Sequence, residues 1–437
     1  MKKILQIELN EVNFDFVRAY CAQGKLPTLN WLIQTRGLIE TTSEDTQEKL
    51  EPWIQWVSAH IGLSFAEHGV FRLGDILNRP DLRQIWEVLE SNGHSVGGMT
   101  PMNARNACVS PAFFIPDPWT RGPVVGSPLI RRLYHAVSQI VNDNAQARAE
   151  KSSLAWLGAS LLRFARPENY GLYVSIGALA WRKRWARALL LDLLLADVFI
   201  RETHRTGPDF ASLFLNAAAH IQHHHMFDSA VYNGPHRNPG WYRETDDPVL
   251  RVYDLYDTLL SQIVRAFPDH RLLIATGLHQ VPHPEQIFYW RLRDHAAFLR
   301  ELGVDFERIE PRMSRDFLVF CEDQAQAAKA EHLLSVVTAD DGALLFEVDN
   351  RGDSLFVMLR YPGDIPSSLG YKTATQTFTE LRAKCAFVAI KNGAHDGIGY
   401  LIDTAETAGT HPHQVQLTSL FTRAIEHFRN AAALSDS

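Results

Sequence analysis

The chain has 437 residues, 46% of them hydrophobic and 21% charged, so it can bury a large core and is neither disordered nor fibrous. Its net charge of −7 excludes the broad basic footprint of a general nucleic-acid binder. Four cysteines (Cys21, Cys108, Cys321 and Cys385) lie far apart without CxxC or CxxH spacing, the usage of a reducing compartment rather than of a disulfide framework or zinc finger.

After Met1-Lys2-Lys3, the stretch ILQIELNEV is broken by Glu8, Asn10 and Glu11 too soon for a signal peptide. ILQIEL reads as a short buried strand, and a helix follows from about Asn13 to Gln23. LPTLNWLIQTRG gives a second helix closed by Gly37, and residues 50–80 hold a dense aromatic and polar stretch. DLRQIWEVLESNGHSVGG reads as an amphipathic helix, a glycine stop and a strand, the alternation of an α/β layer architecture.

Composition changes at residue 105. A Pro-rich loop, SPAFFIPDPWTRGPVVGSP, leads into helices rich in Arg, Ala and Leu that end near residue 205, a helical cap or lid. Its segment ALLLDLLLADVFI carries Asp192 and Asp197 and is too short to span a membrane, so it reads as a buried or interfacial helix. The α/β pattern resumes with DFASLFLNAAAH, a helix over about 249–266, and the strand RLLIATG. Residues 315–360 alternate strands and a helix, CAFVAIKNGAHDGIGYLIDT closes the core, and TSLFTRAIEHFRNAAALS is a terminal helix. The expected division is a core from 1–104, 206–310 and 381–437, a helical lid over 105–205 and a small α+β insertion over 311–380. A soluble, cytoplasmic protein is expected.

Histidine is the first candidate chemistry. His220, His223, His224 and His225 follow a predicted strand directly, and His395 sits in the glycine-rich turn NGAHDGIGY. Strand ends are where open α/β sheets place their sites, and converging imidazoles can bind zinc or a similar ion. Carboxylates come second: Glu8 and Glu11 flank Asn10 at the end of the first strand, and Glu51 precedes Pro52. Such groups ligate metals or act as acid and base. Ser58 is a candidate nucleophile, two residues before His60. No GxSxG, GxxxxGK[ST] or strand-borne GxGxxG motif is present, which argues against an ordinary serine hydrolase, a P-loop NTPase and a dinucleotide enzyme.

Taken in order, these segments resemble the alkaline phosphatase superfamily in its type I phosphodiesterase/nucleotide pyrophosphatase branch. ILQIELNEVNFDFV is similar to that family's first strand and Asp-Gly turn, and LPTLNWLIQTRG to its P-x-L-x-x-L-x-x-x-G helix. EPWIQWVSAHIGLSFAEHGVF resembles the helix that carries the nucleophile and ends in T-G-x-x-P-x-x-H-G. FLNAAAHIQHHHMF resembles the D-x-x-Q-H stretch, RLLIATGLHQ the strand ending in S-D-H-G, and NGAHDGIGYLI the last metal-binding segment. The resemblance implies a three-layer α/β core around a mainly parallel sheet, with a helical lid and a small α+β insertion.

Members of that family hold two divalent ions with Asp and His while a Thr or Ser attacks phosphorus. In this chain the first-strand Asp falls on Asn10, the nucleophile on Pro52, the Asp of D-x-x-Q-H on Ala219 and the Asp-His pair on Gly277 and Leu278. The matched ligands are His223 and His395, with His279 one place past its slot. Neutral Asn, Ala and Gly cannot supply the charge that offsets two dications. Three readings follow: a shifted register over Asn216 to His220, a site rebuilt from His220, His223, His395 and Glu8 or Glu51 around one ion, or a metal-free anion pocket.

The function implied is a hydrolase or transferase of a phosphate, sulfate or phosphonate ester, with a degenerate relative that binds an anionic ligand as the alternative. One divalent ion, zinc or manganese, or none is the cofactor expectation, with His223, His395 and Glu8 as ligands. Ser58, His220 and His279 are the candidate catalytic groups, and Asn10, Gln55, His60 and Asn103 the candidate contacts to a small phosphorylated or anionic substrate. No nucleic-acid partner and no transmembrane segment are expected, and the oligomeric state stays open. The lid aromatics Trp156, Trp181 and Trp185 leave room for an acyl or lipid-linked substrate.

Overall fold

The computed structural model describes residues 2–44, 49–142, 151–312 and 315–435. It falls into two compact units, the larger built from the N-terminal part through Pro282 together with Gly393–Ser437, the smaller from His283–Asn392.

The larger unit begins with strand β1 (Ile4–Leu9), every residue of which is buried. Helices α1 (Phe14–Ala22) and α2 (Pro27–Arg36) follow, the first capped by the Asn13 side chain, the second entered by a proline at its first position. Strand β2 (Ile39–Thr42) then leads to α3 (Pro52–Ile61) and the single turn α4 (Phe65–His68). Next come α5 (Ile85–Ser91), β3 (Val96–Met99) and β4 (Phe113–Ile115). The helical insertion comprises α6 (Pro128–Asn142), α7 (Lys151–Phe164), α8 (Tyr170–Arg182) and α9 (Ala186–Thr206). The chain re-enters the sheet as β5 (Phe210–Leu215), then forms α10 (Ala217–His225), α11 (Pro248–Ala266) and β6 (Arg271–Ala275).

Strand β7 (His279–Leu292) leads into the smaller unit, made of α12 (His295–Glu301), β8 (Arg308–Pro311), β9 (Asp316–Phe320), α13 (Gln324–Ser335), β10 (Thr338–Ala339), β11 (Phe346–Asn350), β12 (Ser354–Leu359), β13 (Tyr371–Lys372), β14 (Thr377–Phe378) and α14 (Leu381–Lys384). Its four-stranded antiparallel sheet runs β11-β12-β9-β8, beside a three-stranded sheet β10-β13-β14. Phe298 stacks on Tyr371 with ring centroids 5.2 Å apart, and Phe346 packs on Phe298 and Phe317. Strand β15 (Cys385–Asp396) returns the chain, pairing with β7, and β16 (Ile398–Asp403), β17 (Gln414–Gln416) and α15 (Ser419–Ser435) complete the larger unit.

The eight-stranded sheet of the larger unit has the order β17-β2-β16-β6-β1-β5-β3-β4. Strands β6, β1, β5, β3 and β4 are mutually parallel, and β16 runs antiparallel between β6 and β2. Such a sheet is covered on both faces, which is why its central strands are nearly continuous apolar runs. One face packs on α1, α9 and α11 through Leu5, Ile7, Val17, Leu193, Val252 and Leu259. The other packs on α3, α5 and α15 through Ile4, Trp56, Trp86, Phe214, Leu420 and Phe428. Each such fully buried side chain contributes about 1.5–3 kcal/mol. This three-layer α/β arrangement matches the sequence expectation; β4, however, forms within the proline-rich segment read as loop, so the helical excursion begins at Pro128. Among the described residues no helix is long and apolar enough to cross a membrane.

Candidate metal centre

The carboxyl ends of β1, β5 and β6 lie side by side, and the chain leaves each in a different way. After β1, the Asn10 amide donates to Leu215 O on the β5 side, while the Glu11 amide donates to Thr276 O on the β6 side, both at 3.1 Å. Serving both neighbours twists the backbone, and Glu11 has φ 62°, the left-handed region that a non-glycine residue enters at a cost of about 1–3 kcal/mol. After β5 the chain turns at once into α10, which carries His223 in its last turn. Because β16 is antiparallel to β6, the residues that precede it stand at this same end of the sheet, and His395 is among them.

Three ligand-type atoms meet there. Glu11 Oε2 lies 3.3 Å from His223 Nε2 and 3.2 Å from His395 Nε2. The two Nε2 atoms are themselves 3.3 Å apart. An ion at the usual zinc–ligand distance of 2.0–2.1 Å from three tetrahedral ligands spaces them by about 3.3 Å. The triangle therefore has the dimensions of one face of a tetrahedral site. Among the described residues, this is the one group of three His, Cys, Asp or Glu donors that converges so closely.

The surroundings hold the three groups in position. Asn10 Nδ2 donates to Glu11 Oε1 at 2.9 Å and to Asn216 Oδ1 at 2.8 Å, and its own Oδ1 accepts from Trp56 Nε1 at 2.7 Å. Gln280 donates from Nε2 to Glu11 Oε2 and to Ala219 O. Gln222 donates to Glu11 O at 2.7 Å and accepts from the Asn13 amide at 3.0 Å. A Cβ on Gly393 would stand 1.9 Å from Gln280 Oε1, so this position admits only glycine while Gln280 keeps its place. His395 turns its other nitrogen, Nδ1, toward Glu51 Oε2 at 3.6 Å, and its ring also hydrogen-bonds the Leu50 backbone. A proton on Nδ1 leaves Nε2 as a lone pair aimed at the triangle, the arrangement of metal-ligating histidines.

Electrostatics agree with a cation-binding role. Burial acts to raise the Glu11 carboxyl, but the His395 and His223 rings that face it hold it well below the usual carboxylate range. Burial acts to lower His395, and Glu11 overcomes this and raises it. Glu11 is thus a buried anion that faces two imidazoles. A divalent ion held by one carboxylate and two neutral imidazoles fits this donor set, and zinc, manganese or iron(II) all accept it.

The other sequence candidates are distributed differently. The carboxylate beside the two histidines is Glu11 rather than Glu8, whose Oε1 accepts from Gln6 Nε2 at 2.8 Å and pairs with His60 Nε2 at 2.9 Å inside the layer under α3. Strand alternation explains this placement: Gln6 and Glu8 point with Ile4 to the α3 face, and Glu11 lies past the strand end. His60 is fully buried between Trp56 and Trp86, away from any substrate approach. Ser58 is buried against His68, Gln55 donates to Lys49 O at 2.7 Å, and Asn103 ties Gly74, Trp53 and Arg72 together. His279 turns Nδ1 to the Ile398 carbonyl and pairs with the Glu11 backbone. His220 is exposed and packs edge-on against His224. Asn10 lies at the centre, where its amide orients Glu11. Gln222, Gln280 and Asn13 escaped the sequence reading, since an amide supporting a ligand carries no spacing signature.

No protein-family model matches the chain, and no curated protein matches it in sequence. Among solved structures it is similar to phosphonoacetate hydrolase from Sinorhizobium meliloti 1021 in complex with phosphonoacetate, at 12% identity and a TM-score of 0.47, over 97% of this chain and 96% of that one. It is also similar to murine ectonucleotide pyrophosphatase/phosphodiesterase 5 in complex with AMP, at 9% identity and a TM-score of 0.42, over 98% of this chain and 94% of that one. The chemistry of this chain is set by its own residues.

Proposed function

We propose that the protein is a single-ion hydrolase or transferase acting on a phosphate or phosphonate ester at the carboxyl ends of β1, β5 and β6. The observation that carries this reading is the triangle of Glu11 Oε2, His223 Nε2 and His395 Nε2 with sides of 3.2–3.3 Å. A divalent ion held there supplies positive charge for the non-bridging oxygens of a phosphoryl group. Glu11 contributes the negative charge that retains the ion, Asn10 and Gln280 each donate to one of its two oxygens and fix the carboxylate's orientation, and Glu51 with the Leu50 backbone orients His395. The side chains of His223 and His395 keep 32% and 15% of their surface, which leaves an approach for a ligand. One carboxylate offsets one dication only in part, so an anionic substrate completes the charge balance.

A second reading has its own support. The hydroxyl of Ser58 is turned into the protein, so the site has no nucleophile from that side chain, and an anionic ligand could be held without being cleaved. One experiment separates the two: metal content by elemental analysis of untagged protein, together with turnover of bis-p-nitrophenyl phosphate and a phosphonate monoester. A hydrolase gives about one equivalent of metal and turnover, both lost in Glu11→Gln, His223→Ala and His395→Ala and both kept in Glu8→Gln. Metal without turnover selects the binder. Turnover unchanged in all three ligand variants would falsify the metal-centre reading.

A further inference from the structure

Helix α8, sequence YGLYVSIGALAWR, contains no carboxylate, and its one charge is the terminal Arg182. A helix that is apolar all round is expected to be covered all round. Its inner side is covered, with Ile176 and Ala180 buried. Its outer side is not: Tyr170 is 55%, Val174 74% and Trp181 90% exposed. At 100° per residue, Val174 lies about 40° and Trp181 about 20° round the axis from Tyr170, so the three form one stripe along the helix. Exposed large apolar side chains in such a row mark an interaction surface rather than scattered surface residues.

Charge identifies what the stripe meets. The segment that follows Trp181 reads RKRWAR, and Arg182, Arg184 and Arg187 are exposed and make no ion pair among the described residues. Lys183 is already paired with Glu244 at 2.6 Å, and the nearest carboxylate before the helix, Glu168, is paired with Arg166. The remainder of the protein is acidic, since the whole chain carries a net charge of −7. A second copy docked through this face by a two-fold axis would bring the same arginines together, which opposes a symmetric dimer. An anionic bilayer takes all three features at once: acyl chains receive Val174, the interface receives the amphipathic rings of Trp181 and Tyr170, and lipid phosphates receive the arginines.

We propose that α8 and the basic turn after it seat the protein peripherally on an anionic membrane surface. The test is co-sedimentation of the full untagged chain with vesicles of phosphatidylcholine alone and of phosphatidylcholine mixed with phosphatidylglycerol. Binding to the mixed vesicles only, weakened at high salt, is expected. Each arginine removed near the surface is expected to weaken association about fivefold, so Arg182→Ala with Arg184→Ala weakens it about twenty-five-fold. Val174→Ser with Trp181→Ser removes binding while leaving metal content unchanged, since neither position contributes to the metal centre. Absence of sedimentation with the anionic vesicles overturns the proposal, as does sedimentation that both double variants retain. Size-exclusion chromatography supplies a further arm: a dimer dispersed by Val174→Ser with Trp181→Ser would assign the stripe to a second copy instead.

Discussion

The ring of His68 receives the Val70 amide on Nδ1 at 3.0 Å, so its own proton resides on Nε2, which faces Ser58 Oγ at 3.0 Å. Burial, with the cation of Arg79 adding to it, lowers the His68 pKa to about 4, which keeps the ring neutral at neutral pH. Ser58 in turn points its hydroxyl to the Ile54 carbonyl at 3.4 Å. Neither imidazole nitrogen can then take the Ser58 proton, and the pair holds α3 to α4 instead of activating a nucleophile. Ser58→Ala is therefore expected to keep kcat on a phosphodiester within about twofold, and to cost about 1–3 kcal/mol in urea unfolding because a buried N–H loses its acceptor. A hundredfold loss of kcat at unchanged stability would return Ser58 to the reaction. The same scale shows what the sequence could reveal of the site. His223 and His395 were legible because histidines cluster and sit at strand ends, whereas choosing between Glu8 and Glu11 needed the strand's last residue, Leu9, and the positive φ that follows it.

Helix α10 carries His223 to the centre, and its start is arranged from outside. Asn216 stands at its N-cap, but that side chain is engaged with Asn10 and does not cap the helix. The carboxylate of Asp192, on α9, takes the role instead, accepting from the Ala217 amide at 2.8 Å and from Tyr256 Oη at 2.7 Å. Burial raises the Asp192 pKa to about 6, against hydrogen bonds that lower it. The unfolded value is about 3.9, so between these pH values the folded state binds the proton more tightly. Stability from this group is therefore full below about pH 4 and falls as pH rises to about 6. The loss amounts to about 3 kcal/mol, from a shift of about two units. Asp192→Asn keeps an acceptor for both donors and removes the titration. Urea unfolding is expected to show equal stabilities at about pH 4 and a more stable variant at about pH 7; parallel pH profiles would refute the assignment. At this scale most elements were readable from periodicity and glycine stops, but β4 was not. Its three residues lie between prolines, and pairing with β3, rather than any local propensity, makes them a strand.

Strand order is where the sequence is silent, because β1 is flanked by β5 and β6, neither of which is near it in the chain. That order brings together Glu11, His223 and His395 from three separate stretches, and His395 and His223 alone are 172 residues apart. An ion bound by Glu11, His223 and His395 would thus link the end of β1, helix α10 and the approach to β16, and it would bind the folded chain far better than the unfolded one. Linkage then makes metal a stabiliser of the larger unit: at a free concentration one hundred times Kd the gain is about 2.7 kcal/mol. For a unit of this size, that raises Tm by several degrees. Differential scanning calorimetry of chelator-treated protein titrated with zinc or manganese is expected to show this rise saturating at one equivalent, and to show none in Glu11→Gln. Glu8→Gln is expected to keep the full shift from a lower starting Tm, since Glu8 holds Gln6 and His60 and touches no ligand of the centre. A rise that persists in Glu11→Gln would mean that the ion binds elsewhere, and the triangle would then be an ion pair between a buried carboxylate and two imidazoles.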